Sequence, residues 1–401
     1  MPATTGYSAA FETNNSALAY NVESVWGVPQ GQFQYIRYQS TTLAGQRTTQ
    51  RPSEITATRE AAQSVTTQVA AQGTVNYAFS ATTFDELVFA NVLQADWQTP
   101  QTINGVAGDI ALTASSGAVT LSSTTPNKFA NITSGQWIRL LGFTNAANNG
   151  FWFVSTGAGN SPDFLNLMGP NSATAVTETP SGASAKVRAS TIRNDKICKT
   201  YFVEKALDAT NILQYPGSYA TRMTLNGGLG AFTTGTVDLV AKSEQIATTT
   251  SSSGPILAAP TGRVLSPIAD FVGVFFNGVA LSSGVENFTI TVENTGAAGE
   301  FAMGSASAIG ILSGTHTASG SLRAYVKDFS MYNNVVNETS GQLAIIVKDS
   351  TQYAYAFTFL DARLNGSIAI GGPGQAVMAD YTIEAGPTAQ RTFVIDRMAA
   401  S

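Results

Sequence analysis

The sequence predicts an all-β protein with short helices, in which two related β units follow one another and a small β domain is inserted into the first. Two long stretches of strand-like alternation predict the repeat, because aligning Gly73 with Gly320 superimposes their patterns at an offset of 247 residues. A change in composition predicts the inserted domain. The predicted division is 1–97 and 196–250 for the first unit, 98–195 for the inserted domain, and 251–401 for the second unit.

The first long strand is predicted at residues 65–80, where apolar and uncharged polar positions alternate throughout. Ordinary strands hold about five or six residues, so this strand is expected to extend beyond a compact domain. Residues 82–93 follow with helical spacing, and Thr83 with Glu86 has the pattern of a capping box. A long half-buried strand and then a short helix are therefore expected here.

The second half of the chain repeats this order of elements. Residues 312–327 alternate again, with a polar face that is uncharged near its start, and residues 328–336 show helical spacing after an acidic cap. Residues 225–227 and 364–366 share the sequence Leu-Asn-Gly, and each triplet is predicted to lie in a loop before a further strand. The offset between the triplets is only 139 residues, so the first unit must hold a large insertion.

The inserted block, residues 98–195, is low in charge and rich in Ser, Thr, Ala and Gly. Short apolar runs within it are separated by turn residues, which is typical of a small β domain. The predicted strands are residues 118–123, 136–143, 150–156 and 164–169. Because removal of the block leaves two units of similar length, the block is expected to project from the first unit.

Composition limits the classes of function. Charged residues make up 12% of the chain, against roughly 25% in typical soluble domains, which predicts that other copies cover much of the folded surface. The formal net charge of −5 argues against a protein that grips nucleic-acid phosphates through a basic stripe. The N-terminal region has no secretory pattern and no apolar run reaches membrane-spanning length, so a soluble protein folded in a cytoplasm is expected.

Catalytic chemistry is not predicted. Cys198 is the one cysteine and His316 the one histidine, so neither an internal disulfide nor a zinc site is expected. His316 lies on the apolar face of its strand, as a core histidine does. The glycine-rich pieces at 226–230 and 371–374 lack the Lys-Ser/Thr of a phosphate loop and are predicted turns. We therefore expect no enzyme activity, no metal site and no cofactor.

Four segments carry a family resemblance: YNVESVWGVPQGQFQYIRYQSTTL at 20–43, ITATREAAQSVTTQVAAQGTVNYAFSATTFDELVFANVL at 55–93, GQWIRLLGFTNAANNGFWFV at 135–154, and KTYFVEKALDATNILQYPGSYATRMTLN at 199–226. In these segments the chain resembles the major tail tube proteins of long-tailed, siphovirus-like bacteriophages. The resemblance runs over nearly the whole chain, including the inserted block. Its motifs are structural rather than catalytic.

The resemblance implies a β-sandwich whose long hairpin joins neighbours in a ring, with inner strands that form an intersubunit β-barrel around a lumen. Rings of this kind stack into the tail tube, which conducts double-stranded DNA from the virion into the host. A tape measure protein and a tail terminator are the implied partners, and assembly takes place in the host cytoplasm. The residues that would line the lumen are Thr66, Gln68, Gln72, Ser313, Thr315 and Thr317. Uncharged hydroxyl and amide groups do not hold phosphates, so DNA is expected to slide.

The number of chains in a ring follows from the repeat. Such tubes are usually sixfold, and two units in each chain predict a homotrimeric, pseudo-hexameric ring, with a homohexamer as the alternative. The polar loop that ends at residue 54 carries Arg47, Arg51 and Glu54 and is the only locally charged part near the first long strand. This loop is either solvated or a subunit contact made through paired charges.

Two other classes of protein share some of these features. A bacterial surface adhesin, or another secreted β-rich binding protein, has similar Ser, Thr and Gly richness but should carry an export signal. A carbohydrate-active β enzyme should show clustered carboxylates beside aromatic platforms. The inserted block is a candidate for binding sugar or a host surface, a hypothesis that rests on its projecting position.

Overall fold

The structure is a computed structural model, and it describes residues 10–54, 57, 60–157, 163–180, 185–389 and 391–400. Strands hold 50% of the described residues and helices 6%, which confirms the predicted all-β class with short helices. Residues 55, 56, 58 and 59, at the start of the second segment that carries the resemblance, lie outside the described residues.

The strands of the described residues are β1 (Ala17–Val22), β2 (Gln34–Ile36), β3 (Ser40–Thr41), β4 (Ala44–Gln50), β5 (Val65–Ala78), β6 (Gln101–Asn104), β7 (Ile110–Ser115), β8 (Ala118–Ser123), β9 (Trp137–Leu141), β10 (Gly150–Gly157), β11 (Phe164–Met168), β12 (Lys186–Ala189), β13 (Thr191–Arg193), β14 (Tyr201–Ala206), β15 (Ile212–Gly228), β16 (Thr234–Ala241), β17 (Gln245–Ala247), β18 (Phe271–Phe276), β19 (Val279–Ala280), β20 (Val285–Thr295), β21 (Ala298–Glu300), β22 (Gly310–Leu312), β23 (Thr315–Tyr325), β24 (Gly341–Lys348), β25 (Ala354–Ala369), β26 (Met378–Gly386) and β27 (Phe393–Met398). The helical segments are two short 3₁₀ turns (Thr13–Asn15 and Ala146–Asn148), a π-helical segment (Asp85–Ala90), α1 (Asn91–Leu93) and α2 (Ser330–Val336).

Four strands of the first half form an antiparallel set in the order β4, β5, β16, β15. β5 is the long strand expected from the alternation. Its side chains at Ala71, Val75 and Tyr77 are buried, whereas Gln72 between them is exposed. The prediction of a long, half-buried strand is therefore confirmed.

Four strands of the second half form a second set in the order β20, β23, β26, β25. Ala44 lies opposite Gln72 in the first set, and Thr291 lies opposite Ser319 in the second, so both strand pairs follow the predicted offset of 247 residues. β15 of the first set also pairs with β20 of the second. Together the two sets build one continuous antiparallel sheet, which we name the eight-stranded sheet.

The Leu-Asn-Gly triplets at 225–227 and 364–366 lie inside β15 and β25, so the prediction of loops was wrong. The strands continue through both triplets because their glycines leave room for a neighbouring strand. A Cβ atom at Gly227 would collide with the ring of Phe288, and one at Gly366 would collide with β26. Close packing between strands, rather than a turn, accounts for these glycines.

β15 and β25 are long because each passes from one sheet layer into another. The first part of β15 pairs with β14 and β17, and its second part pairs with β16 and β20. β25 likewise pairs first with β24 and β27 and then with β26. At Gly217 the backbone has a φ of +63° and contacts the ring of Trp26, where any side chain would collide. One large apolar core lies between the layers.

A short helical segment follows each of the long strands β5 and β23, as predicted. The predicted capping box is wrong, because Thr83 Oγ1 lies 2.9 Å from Ser80 Oγ while Glu86 Oε2 accepts a hydrogen bond from Lys199 Nζ at 3.0 Å. Neither side chain is therefore directed at the start of the helix. At α2 the acidic residue does act near the helix start, since Ser330 N donates to Asp328 Oδ1 at 2.9 Å.

The inserted block forms its own sheet of seven strands, in the order β6, β12, β9, β10, β11, β8, β7, with its own core. The four strands predicted there are present as β8, β9, β10 and β11. β6 and β12 were missed because each has only four residues, whereas β7 has the same length as β8 and as many large apolar side chains but was not predicted. The block contacts the second half of the chain: the ring of Trp137 lies 5.3 Å from that of Phe275, and Trp137 N donates to the buried Asp396 Oδ2 at 2.8 Å.

Candidate assembly surfaces

One face of the eight-stranded sheet packs on the core, and the other face is exposed on the isolated chain. On β5 the outer face includes Gln68 and Gln72, and on β23 it includes Thr315 and Thr317. Directly opposite residues of paired strands share a face, so these positions belong to continuous rows across the sheet. Thr66 lies opposite Thr49, beyond a register shift in the pairing of β4 with β5, whereas Gln68 lies opposite Thr48, so Thr66 does not share the face of Gln68. The fold thus brings four of the six residues predicted for a lumen onto one surface.

Ser313, the sixth residue, lies just before β23. Gly314 separates it from the strand with a φ of +73°, so the alternation of side chains stops there. The Ser313 carbonyl accepts a hydrogen bond from Tyr219 Oη at 2.9 Å. Ser313 is therefore at the end of the exposed face rather than on it.

Charged residues from neighbouring strands also lie on this exposed face. Arg222 lies opposite both Asp238 and Glu293, and Arg323 Nε contacts Glu286 Oε2 at 2.8 Å and a second carboxylate at 3.7 Å. The charged residues in the rows are Arg222, Arg323 and Arg363 with Asp238, Glu293, Asp380 and Glu384. The absence of charge predicted for the long strands holds for β5, but the sheet as a whole has paired arginines and a small excess of carboxylates.

The junction of β15 with β20 joins the two strand sets inside one chain. Seven residue pairs form it, from Arg222 opposite Glu293 to Gly228 opposite Asn287. On the exposed face small polar residues meet, and on the other face apolar residues are buried in the main core. The junction is thus as fully packed as the interior of either set. We name it the internal junction.

Each end of the eight-stranded sheet is an open edge. Among the described strands, β4 pairs only with β5, and residues 363–369 of β25 pair only with β26. Nearly all of β4 is exposed. Unpaired edges favour association with another strand, so natural proteins usually cover them or pair them.

The open edge of β4 is capped by side chains. The backbone groups of Leu43 and Gly45 alternate with those that bond to β5, so they point away from it. Gly45 N donates to Glu244 Oε2 at 2.9 Å, and the Leu43 carbonyl accepts from Tyr215 Oη at 2.9 Å and from Lys205 Nζ. Polar side chains therefore take the positions that a further strand would fill.

Arg47, Arg51 and Glu54, the residues predicted for a subunit contact, all lie on or just after this edge. Arg47 is opposite Val69, which puts it on the other face of the sheet from Gln68. Arg51 and Glu54 follow β4 in an exposed segment. Within the described part of the chain none of the three forms an ion pair.

A buried polar cluster fastens the segment after β5 to the second half of the chain. Arg397 Nη1 donates to Asp85 Oδ2 at 2.7 Å, and Tyr355 Oη donates to Asp85 Oδ1 at 2.7 Å. The Arg397 guanidinium also stacks 4.3 Å from the centre of the Trp97 ring. Sequence reasoning missed this cluster, although an acidic pair at the start of an apolar helical run and an arginine in an apolar strand were its visible signals.

His316 and Cys198 line one cleft of about 400 Å³ between the two halves. His316 Nδ1 lies 3.2 Å from Asn294 Oδ1, and burial lowers the pKa of His316 to about 4, so its ring is neutral near pH 7. No hydrogen bond joins Cys198 to His316 in the described residues. Among those residues, no group of three or more His, Cys, Asp or Glu side chains is arranged for a metal ion. None of the described helices is long and apolar enough to cross a membrane.

Comparison with known families agrees with these surfaces. The profile of a family described as phage tail tube protein matches residues 13–385, a range that includes both strand sets and the inserted block. Comparison with curated proteins found no significant match. The open edges of this all-β fold are compatible with assembly through strand pairing between copies. The chain therefore belongs to the phage tail tube protein family and is a structural component of the virion that assembles into the tail tube.

Proposed function

We propose that three copies of this chain close into one ring of six tube units, and that stacked rings form the conduit for DNA. In this proposal the first unit comprises residues 1–97 and 196–250, and the second comprises residues 251–401. The main support for the proposal is that the two strand sets pair in the same register at an offset of 247 residues. A helical segment also follows the long strand in each set. Six units are then reached with three chains, and the homohexamer is the alternative.

The size of the resulting barrel supports three chains rather than six. Each chain contributes the eight-stranded sheet. At a strand spacing of about 4.8 Å and a tilt of about 40°, a barrel of three such sheets is roughly 48 Å across its backbone, and one of six is roughly 96 Å. The narrower barrel encloses a DNA duplex more closely.

The exposed face of the sheet is the proposed lining of the conduit. Gln68 and Gln72 contribute from the first unit and Thr315 with Thr317 from the second. The proposal also includes Thr66, beyond the register shift of β5, and Ser313 at the end of the wall. The arginines of this face each have carboxylates beside or opposite them. Arginines that are paired with carboxylates do not form a continuous basic surface. They therefore bind the phosphates of DNA only weakly, and DNA can slide through the conduit.

β4 and the loop that follows it are the proposed contact with a neighbouring chain, through Arg47 on the strand and Arg51 and Glu54 after it. The corresponding loop of the second unit supports this, because it lies on the first unit, where Val69 N donates to the Ala306 carbonyl at 2.9 Å. The described residues of the segment after β4 make no hydrogen bond or ion pair with another part of the chain, so this segment is expected to lie on the next chain in the ring. A loop that is merely solvated is the alternative.

The inserted block, residues 98–195, is the proposed outer domain of the tube. Its separate core and its docking on the outer strands around Phe275 support a position away from the conduit. We also propose that this block binds sugar or a host surface. At the tube ends the protein is proposed to contact a tape measure protein and a tail terminator, and we propose no catalytic role.

An antibody fragment against the block should decorate the outside of tubes, and blocked phage adsorption would support a host contact. Unchanged adsorption of fully decorated phage would contradict that contact.

The ring itself is tested by electron microscopy and mass measurement of the assembled protein. We expect stacked rings with threefold symmetry and apparent sixfold features, and a mass per ring of three chains. Six chains in one ring would support the alternative. Monomers under all assembly conditions would contradict a tube built by this chain.

A further inference from the structure

We propose that the internal junction is the template for the junction between chains, and that it specifies the register: Ser367 of one copy lies opposite Ala44 of the next copy. This inference rests on the proposed ring, because it assumes that every junction between units is alike. It assigns the end of β25 and the β3–β4 edge as one antiparallel contact between two copies of this chain.

The register follows from equivalent positions in the two strand sets. At the internal junction Thr224 lies opposite Thr291. Ala44 occupies in the first set the position that Thr291 occupies in the second, and Ser367 occupies in the second set the position that Thr224 occupies in the first. The observed pairs behind these equivalences are Ala44 with Gln72, Thr291 with Ser319, Gly73 with Leu239, Gly320 with Ile383, Thr224 with Thr236, and Ser367 with Asp380.

The two edges are suited to this contact. Both Ala44 and Ser367 are exposed on the isolated chain, and their side chains are small. In the same register Asn365 lies opposite Gln46 of the next copy, which pairs two amides across the strands. The internal junction has a comparable polar pair, since Thr289 Oγ1 donates to Asn226 Oδ1 at 2.9 Å. Closely approaching backbones and short polar side chains thus characterise both the observed and the proposed contact.

The caps on β4 must be released for this contact to form. Glu244, Tyr215 and Lys205 bond to the outward backbone groups of Leu43 and Gly45, which are the groups that a neighbouring strand would use. Until a copy arrives in the correct register, the caps satisfy the edge and oppose unspecific pairing. The arriving strand exchanges those side-chain bonds for backbone bonds.

Disulfide crosslinking of assembled tubes tests the register. All variants carry Cys198→Ser, which removes the single native thiol. Ala44→Cys with Ser367→Cys should crosslink on mild oxidation and give covalent species of up to three chains on a non-reducing gel. Thr48→Cys with Ser367→Cys, displaced along the strand, should give none, because its thiols lie too far apart for a disulfide.

The internal junction supplies the matched positive control. Thr224→Cys with Thr291→Cys occupies the equivalent pair inside one chain and should crosslink within that chain. Mixing chains that carry only Ala44→Cys with chains that carry only Ser367→Cys should give covalent dimers and nothing larger. This mixture decides the register if the double variant fails to assemble.

The outcomes separate the two proposals. Tubes in which the internal pair crosslinks but Ala44→Cys with Ser367→Cys does not would overturn the register and leave the ring intact. Crosslinking of the displaced Thr48→Cys pair would overturn it equally. Failure of the unmodified protein to form rings would overturn the proposed function itself. Covalent species larger than three chains would retain the register and replace the trimer by the hexamer.

Discussion

The internal junction and the open edges consist of equivalent strands, but only the junction is closed within one chain. At the junction seven residue pairs satisfy the two backbones and cover apolar side chains such as Leu225 and Ile290. At the open edge of β4, Glu244 and Tyr215 bond to the outward backbone groups instead. The comparison shows that this chain satisfies the backbone groups of its edge strands in two ways. At the junction the two strand sets pair within one chain, and at β4 polar side chains cap the edge temporarily.

The largest expected effect concerns the buried contact that holds the two halves together. Asp85→Ala leaves Arg397 and Tyr355 buried without their acceptor, so we expect the free energy of unfolding to fall by about 3–5 kcal/mol. Chemical denaturation of the unassembled chain measures this. Asp96→Ala is the matched control: the Asp96 carboxylate is exposed and its partner Lys199 keeps a second carboxylate at Glu86, so the loss should be less than about 1 kcal/mol. Equal losses for the two variants would contradict a special role for the buried contact.

The docking of the inserted block on the second half should depend on pH. Burial raises the pKa of Asp396 from 3.8 to about 7, so the folded chain binds the proton more tightly than the unfolded chain. The associated stability is fully present below about pH 4 and is lost as the pH rises to about 7. Asp396→Asn cannot ionise and should lack this loss.

Thermal or chemical unfolding of the wild type and of Asp396→Asn at several pH values measures the difference. Between about pH 4 and pH 7 we expect the wild type to lose up to about 1.4 kcal/mol per pH unit relative to the variant. Other titrating groups are common to both proteins and cancel in the comparison. Parallel stability curves over this range would argue against a shifted pKa at Asp396.

The cap on the open edge should affect folding and assembly in opposite directions. Glu244→Ala removes the acceptor of Gly45 N and a partner of Tyr215, so the free energy of unfolding should fall by about 1–2 kcal/mol. The freed edge should also shorten the lag before tubes appear in light scattering. Glu12→Ala, an exposed carboxylate whose side chain has no bond in the structure, is the control for lost charge. An unchanged lag would show that capping does not limit assembly.

The smallest expected effect tests the register through charge. Ala44→Asp with Ser367→Asp sets like charges opposite each other at the proposed intermolecular pair, which should weaken each contact by about 0.2–1 kcal/mol. Ala44→Asp with Ser367→Lys should restore or improve assembly, measured as the protein concentration needed for tubes. If the two double variants assemble alike at low salt, these residues do not face each other.

The long strands and most strands of the inserted block could be predicted from the sequence, because alternation of side chains is a local property of the backbone. The alternation at β5 and the apolar runs at β8 to β11 needed no knowledge of neighbours. The Leu-Asn-Gly triplets were wrongly predicted to be loops, because their glycines are explained by contacts between strands and not by a local property of the backbone. Gly227 is small because the ring of Phe288, distant in sequence, packs against it.

The charged residues of the exposed face could not be predicted for the same reason: the sequence does not reveal which strands are neighbours. Arg222 comes to lie between Asp238 and Glu293 only because β15 has β16 on one side and β20 on the other. Nothing in the local pattern of β5 or β23 reveals those neighbours. The capping of β4 by Glu244, about 200 positions away in the chain, could not be read from the sequence either.

By itself the sequence determined the all-β class, the repeat at an offset of 247 residues, the inserted strands and the family resemblance, since each depends on residue order and short-range periodicity. Only the tertiary structure decided which strands meet, which charges share a face, and that the inserted block docks on the second half of the chain through Trp137. The physical reason is that strand pairing joins residues far apart in the chain. Packing and hydrogen bonding, not local preference, then select the partners.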